Sequence, residues 1–127
     1  MKKLIVSLSI ILLLSIPDAS AQRSRCRRVQ FQPGQNTAVL RGAVRARQLF
    51  CYTLRAREGQ RMSVRVTSPR NNVRLTIEPD VEQDTDPLYG GYDVAEWEMN
   101  LPADGNYRIM VWVPRGSSTF NLSVTIQ

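Results

Sequence analysis

From Val29 onward apolar residues recur at every second position, and this alternation constrains the chain more than any other feature. Leu40, Gly42 and Val44 alternate with Arg41, Ala43 and Arg45, and Phe50, Tyr52, Leu54 and Ala56 alternate with Cys51, Thr53 and Arg55. Met62, Val64 and Val66 alternate in the same way with Ser63, Arg65 and Thr67. Successive side chains on an extended strand point to opposite faces, so a period of two sets one apolar row against a core and one polar row in water. Further strands follow at Val29 and Phe31, at Val73 to Ile77, at Trp97 to Leu101, at Tyr107 to Val113 and at Phe120 to Ile126, eight in all. Pro33-Gly34, Glu58-Gly59-Gln60, Ser68-Pro69-Arg70-Asn71-Asn72, Pro102-Ala103-Asp104-Gly105 and Pro114-Arg115-Gly116-Ser117-Ser118 are turn signals between them. A long polar connection is expected from Glu78 to about Asp93, and no stretch carries a helical period. The pattern predicts an all-β fold, an antiparallel two-sheet sandwich with one core.

The first 21 residues have a different character. Met1-Lys2-Lys3 is basic, Leu4 to Ile16 is almost uninterruptedly apolar, and Ala19-Ser20-Ala21 is a small-residue cleavage site after Pro17-Asp18. This is the layout of a secretory signal peptide. The apolar run of 13 residues is short of the ~20 needed to span a bilayer. Residues 22–127 are therefore expected as a single exported domain, periplasmic or secreted. In an oxidising compartment Cys26 and Cys51, the only cysteines, are expected to pair. Such a bridge encloses 24 residues, and the chain-entropy model gives it about 3.5 kcal/mol.

With the leader removed, all 15 basic residues are arginine, and the chain holds no histidine. Between Gln22 and Arg74 thirteen arginines face Glu58 alone, a net +12, whereas Leu75 to Gln127 carries two arginines and nine acids, a net −7. Alternation points Arg55, Arg65, Arg74 and Arg108 outward. They form a stripe only if their strands share a sheet. An arginine stripe suits an anionic envelope polymer or polysaccharide. Nucleic acid fits poorly, because no aromatic residues are interleaved with the arginines.

Four acids alternate at Asp80, Glu82, Asp84 and Asp86, the oxygen-rich composition that calcium favours. A helix-loop-helix calcium loop is excluded: counted from Glu82, Asp93 is twelfth but Pro87 occupies the sixth position, where glycine is required. These carboxylates are otherwise a solvated loop able to complement a basic partner, and no cofactor is expected. Next, Pro87-Leu88-Tyr89-Gly90-Gly91-Tyr92 sets two tyrosines around paired glycines, a composition suited to protein contact on a deformable backbone. Trp112 is the other anomaly. Its strand turns Tyr107, Ile109, Val111 and Val113 inward and so sends Met110 and Trp112 outward, unless a bulge intervenes.

Three segments carry a resemblance. Val29-Gln30-Phe31-Gln32-Pro33-Gly34, the Tyr52-x-Leu54-x-Ala56-x-x-Gly59-Gln60-x-Met62-x-Val64 run, and Trp97-x-x-x-Leu101-Pro102-x-x-Gly105-x-Tyr107-x-Ile109-x-Val111 resemble two related groups. These are the bacterial pre-peptidase C-terminal domain and the periplasmic inhibitor of goose-type lysozyme. The resemblance spans Val29 to Ile126 and implies a jelly-roll-like sandwich. It also implies a protein that plugs the cleft of a cell-wall hydrolase such as lysozyme.

Catalysis is disfavoured independently. A serine nucleophile needs a base, and the region after the leader contains neither histidine nor lysine. The expectation is a non-enzymatic binding protein whose loops dock in a lysozyme cleft. Tyr89, Tyr92, Asp93 and Arg115 are its contact candidates, with Trp112 flanking. The alternatives are a module that binds envelope polymer or carbohydrate and a calcium-stabilised accessory domain.

Overall fold

A computed structural model describes residues 26–80 and 86–127. The proposed signal peptide, Glu82 and Asp84 lie outside the described residues. The strands are β1 (Arg27–Arg28), β2 (Thr37–Arg45), β3 (Phe50–Ala56), β4 (Arg61–Thr67), β5 (Arg74–Pro79), β6 (Tyr92–Val94), β7 (Glu96–Asn100), β8 (Gly105–Trp112) and β9 (Ser117–Ile126). They form a five-stranded sheet, β1-β3-β8-β5-β6, and a four-stranded sheet, β2-β9-β4-β7. Every pairing is antiparallel except β1 with β3. The predicted all-β sandwich is the fold observed.

Alternation becomes burial as expected. Tyr52, Leu54, Leu75, Ile77, Tyr107, Ile109 and Val111 from one sheet meet Val44, Met62, Val64, Val66, Trp97, Phe120, Leu122 and Val124 from the other in one core. Gly42 is an inward position of β2, where the Phe120 ring sits directly over the backbone. A Cβ there would lie 2.7 Å from Phe120 Cζ. Phe120 in turn packs edge-on against Phe50, with ring centroids 5.9 Å apart.

Two expectations change. The first strand was placed at Val29 and Phe31, but β1 ends at Arg28. It is a two-residue parallel pairing, Arg27 with Tyr52 and Arg28 with Thr53, beside the Cys26–Cys51 disulfide. Val29 makes one more bond, its N–H to the Thr53 carbonyl at 2.9 Å, and buries its side chain. The chain then turns through Pro33-Gly34, where Gly34 adopts a φ of 77°.

The second change concerns the polar connection. Glu78 and Pro79 belong to β5, opposite Arg108 and Tyr107 of β8. Proline supplies no N–H to continue a ladder, and the strand ends there. The chain returns along the edge of β5 and adds a ninth strand, β6, across a register shift between Leu75 and Thr76.

Sheet order also resolves the charge asymmetry. Arg55, Arg74 and Arg108 share the five-stranded sheet, while Arg65 lies in the other. Antiparallel pairing carries the acids of the second half to the arginines of the first. Arg61 meets Glu98 at 2.5 Å, Arg65 meets Glu96 at 3.8 Å, and Arg74 meets Asp93 at 2.6 Å. Arg108 joins Glu78 at 2.6 Å and Asp80 at 3.7 Å. The condition for a single arginine stripe is thus not met: Arg65 lies in the other sheet, and Arg65, Arg74 and Arg108 are each paired with an acid.

Candidate binding surface

Trp112 points away from the core. The β5–β8 ladder runs without a break, Arg74 opposite Trp112 and Leu75 opposite Val111, so no bulge rotates the indole inward. Its Nε1–H donates to the Thr76 hydroxyl at 3.2 Å. That bond fixes the tilt of a ring on an otherwise open sheet face, because a half-buried indole N–H needs a partner.

Around the ring lies a depression of about 430 Å³ lined by Leu49, Thr76, Glu78, Pro87, Tyr92, Met110 and Trp112. Leu49 and Tyr92 are exposed, so this is an apolar patch of the kind that marks recognition surfaces. Beneath it, Glu78 faces outward yet is only 6% exposed. The Arg108 guanidinium holds it at 2.6 Å, as a buried carboxylate requires. Arg108 Nε, itself buried, has no hydrogen-bond partner among the described residues.

The tyrosine turn is stiffer than its glycines suggest. The Leu88 N–H donates to the Ile77 carbonyl (2.9 Å), the Gly91 N–H to Leu88 (2.7 Å), and the Ile77 N–H to Gly91 (2.7 Å). Trp97 Nε1–H then donates to the Tyr89 carbonyl at 3.0 Å, tying the turn to the other sheet. Gly91 is required by close packing, since a Cβ would sit 3.0 Å from the carbonyl oxygens of Ile77 and Leu88. Gly90 supplies a φ of 70°. The backbone is pinned while Tyr89 stands 92% exposed.

Asp93 lies one residue beyond Tyr92. Its carboxylate and its carbonyl both accept from the Arg74 guanidinium, and Arg74 is the residue opposite Trp112. Arg115 sits past the end of β8, in an exposed loop tied to the β2–β3 loop by Ala46 N–H to the Gly116 carbonyl at 2.8 Å. The structure therefore brings Tyr92 and Trp112 into one depression and joins Asp93 to it through Arg74. It sets Tyr89 at the sandwich's lateral edge and Arg115 at one end.

Leu49, Thr76 and Glu78 were not singled out in the sequence. Leu49 had a signal, as the apolar residue of the basic Arg45-Ala46-Arg47-Gln48-Leu49 loop. Thr76 and Glu78 alternate as an outward row and carried none. Of the acids offered as complement to a basic partner, Glu82 and Asp84 lie outside the described residues, Asp80 is ion-paired to Arg108, and the neighbouring Asp93 is ion-paired to Arg74. Asp86 likewise has an interaction of its own. Among the described residues no group of three or more metal-ligating side chains forms, and no helix is long and apolar enough to cross a membrane.

A rigid all-β sandwich with an aromatic-lined outer face defines this molecule structurally. No protein-family model matches the chain, and no curated protein matches it significantly by sequence. Among solved structures it is similar to Aeromonas hydrophila PliG, a periplasmic inhibitor of g-type lysozyme. The TM-score is 0.66 and the identity 27%, covering 80% of this chain and 96% of that one. The Salmonella Typhimurium PliG shares the fold at a TM-score of 0.60 and 20% identity, covering 79% and 96% of the two chains. So does the pre-peptidase C-terminal domain of the Bacillus anthracis collagenase, at a TM-score of 0.56 and 16% identity over 79% and 94%. Both groups are those the turn-and-core segments resembled.

Proposed function

We propose that this chain is a non-enzymatic, exported inhibitor of goose-type lysozyme, acting in the periplasm or outside the cell. The likeness to the Aeromonas inhibitor, 27% identical and matched over 96% of its length, carries this reading. The disulfide between Cys26 and Cys51 fits an oxidising compartment.

In this proposal the contact surface is the strip from Tyr89 across Tyr92 and Trp112 to Arg115. Its stiffness supports docking: a pinned turn and a fixed indole lose little conformational freedom on association. Glycosidase clefts present carboxylates, and Arg115, which has no ion-pair partner among the described residues, supplies a guanidinium at the edge of the strip. Tyrosine, tryptophan and arginine are also the residues that dominate binding energy at interfaces. An interface of standard size buries about 1,600 Å², which such a strip and its rim can reach. Inhibition then follows from occlusion alone.

The test is the clearing rate of a bacterial cell suspension by goose-, chicken- and invertebrate-type lysozymes, with purified protein at micromolar concentration. Slowed clearing with the goose type is expected. Unchanged clearing with all three would remove the proposal.

A further inference from the structure

The geometry points to a second binding site, for a phosphorylated saccharide, in the cleft between the end of β2 and the β8–β9 loop. This cleft measures about 930 Å³, more than twice the aromatic depression, and its lining includes Arg45, Gln48, Phe50, Arg70, Ser117 and Ser118. It lies at the sandwich end where Arg45 pairs with Ser117.

Its charge is unbalanced. No carboxylate lines the cleft, and the loops that border it, residues 45–49, 68–73 and 113–117, contain Arg45, Arg47, Arg70 and Arg115 without one acid. By contrast, Arg61, Arg65, Arg74 and Arg108 each meet a carboxylate across the ladders. Among the described residues Arg45, Arg47, Arg70 and Arg115 have no ion pair; Arg41 and Arg55 have none either, but they stand outside this cleft. Arg45, at the end of β2, and Arg70, in the β4–β5 loop, line the same cleft, and two planar guanidinium forks suit the oxygens of a phosphate better than a single carboxylate.

The remaining walls suit a sugar. The Gln48 side-chain oxygen accepts from the Arg45 N–H at 3.1 Å, which leaves its NH₂ as a donor. Ser118 Oγ donates to the Thr119 carbonyl at 2.8 Å and keeps its own oxygen as an acceptor. The Ser117 hydroxyl has no hydrogen-bond partner among the described residues. Phe50 adds an apolar wall, braced by Phe120. Orthophosphate alone would leave most of this volume empty, whereas a ring with a phosphate substituent engages charge, hydroxyl partners and apolar wall together.

The cleft lining contains none of Tyr89, Tyr92, Asp93, Trp112 and Arg115, and the variant below changes only Arg45 and Arg70, so the two proposals fail separately. The experiment is titration of the full exported chain with glucose 6-phosphate, glucose or inorganic phosphate at low salt, followed by backbone amide shifts. Saturable shifts at Gln48, Arg70 and Ser117 are expected with glucose 6-phosphate, with weaker ones from inorganic phosphate and none from glucose. The double variant R45Q/R70Q should weaken binding by about tenfold or more, with an unchanged melting temperature and unchanged lysozyme inhibition. No response to glucose 6-phosphate, equal affinity for inorganic phosphate, or equal binding by the folded double variant would overturn the proposal.

Discussion

The Trp112 indole N–H donates to the Thr76 hydroxyl at 3.2 Å across the β5–β8 ladder, on the sheet face turned away from the core. A tryptophan in this position contributes surface, and its hydrogen bond sets which part of the ring is presented. Trp112→Ala should therefore weaken lysozyme inhibition by tens of fold, about 2 kcal/mol, as central aromatic contacts do. Thr76→Val, which leaves the ring in place and unties it, should have a smaller effect in the same direction. Inhibition constants from the clearing assay check both.

The Glu78–Arg108 pair makes a prediction about stability. Glu78 is buried and Arg108 is mostly so. Removing one partner strands a charge, so Arg108→Met should cost about 3–5 kcal/mol. Replacing both, with Glu78→Leu added, should recover much of that loss, because a well-packed apolar pair avoids desolvation. Denaturant unfolding of the two single variants and the double variant measures this.

Gly42 lies under the Phe120 ring, and an added methyl would fall 2.7 Å from Phe120 Cζ. That ring is buried and braced by Phe50, so it has little room to retreat. Gly42→Ala should destabilise by about 1–3 kcal/mol. The β2–β9 edge should then show faster amide exchange than the rest of the sheet.

Alkaline pH should unfold the protein through Tyr52 and Tyr107. Burial raises both phenols above the ordinary value of 10.0. For Tyr52 the Arg27 charge opposes the shift, whereas the Tyr107 hydroxyl donates to the Ala103 carbonyl at 2.5 Å, which helps hold its proton. A raised pKa means the folded state holds the proton more tightly. The associated stability is fully present below pH 10 and declines as pH rises through the folded values. The part of the tyrosinate absorbance due to Tyr52 and Tyr107, isolated in a Y89F/Y92F background, should lag behind that of free tyrosine and then rise together with loss of the sandwich fold.

The alternation of apolar and polar residues in β2 to β5 and β7 to β9 is a local property of the chain. Which side of each strand faces the core was therefore legible in the sequence, and so was the outward Trp112. The Cys26–Cys51 pair was equally legible, since two cysteines allow one bond. Lateral order was not, because which strands become neighbours depends on how distant segments close upon one another. That closure buried Glu78 beside Arg108, paired Arg61, Arg65 and Arg74 with acids 19 to 37 positions away, and left Arg45 and Arg70 facing one cleft without a counter-charge. It also made the stiff tyrosine turn. Gly90 and Gly91 read as deformable in isolation, but three backbone bonds and the Trp97 indole hold them in place.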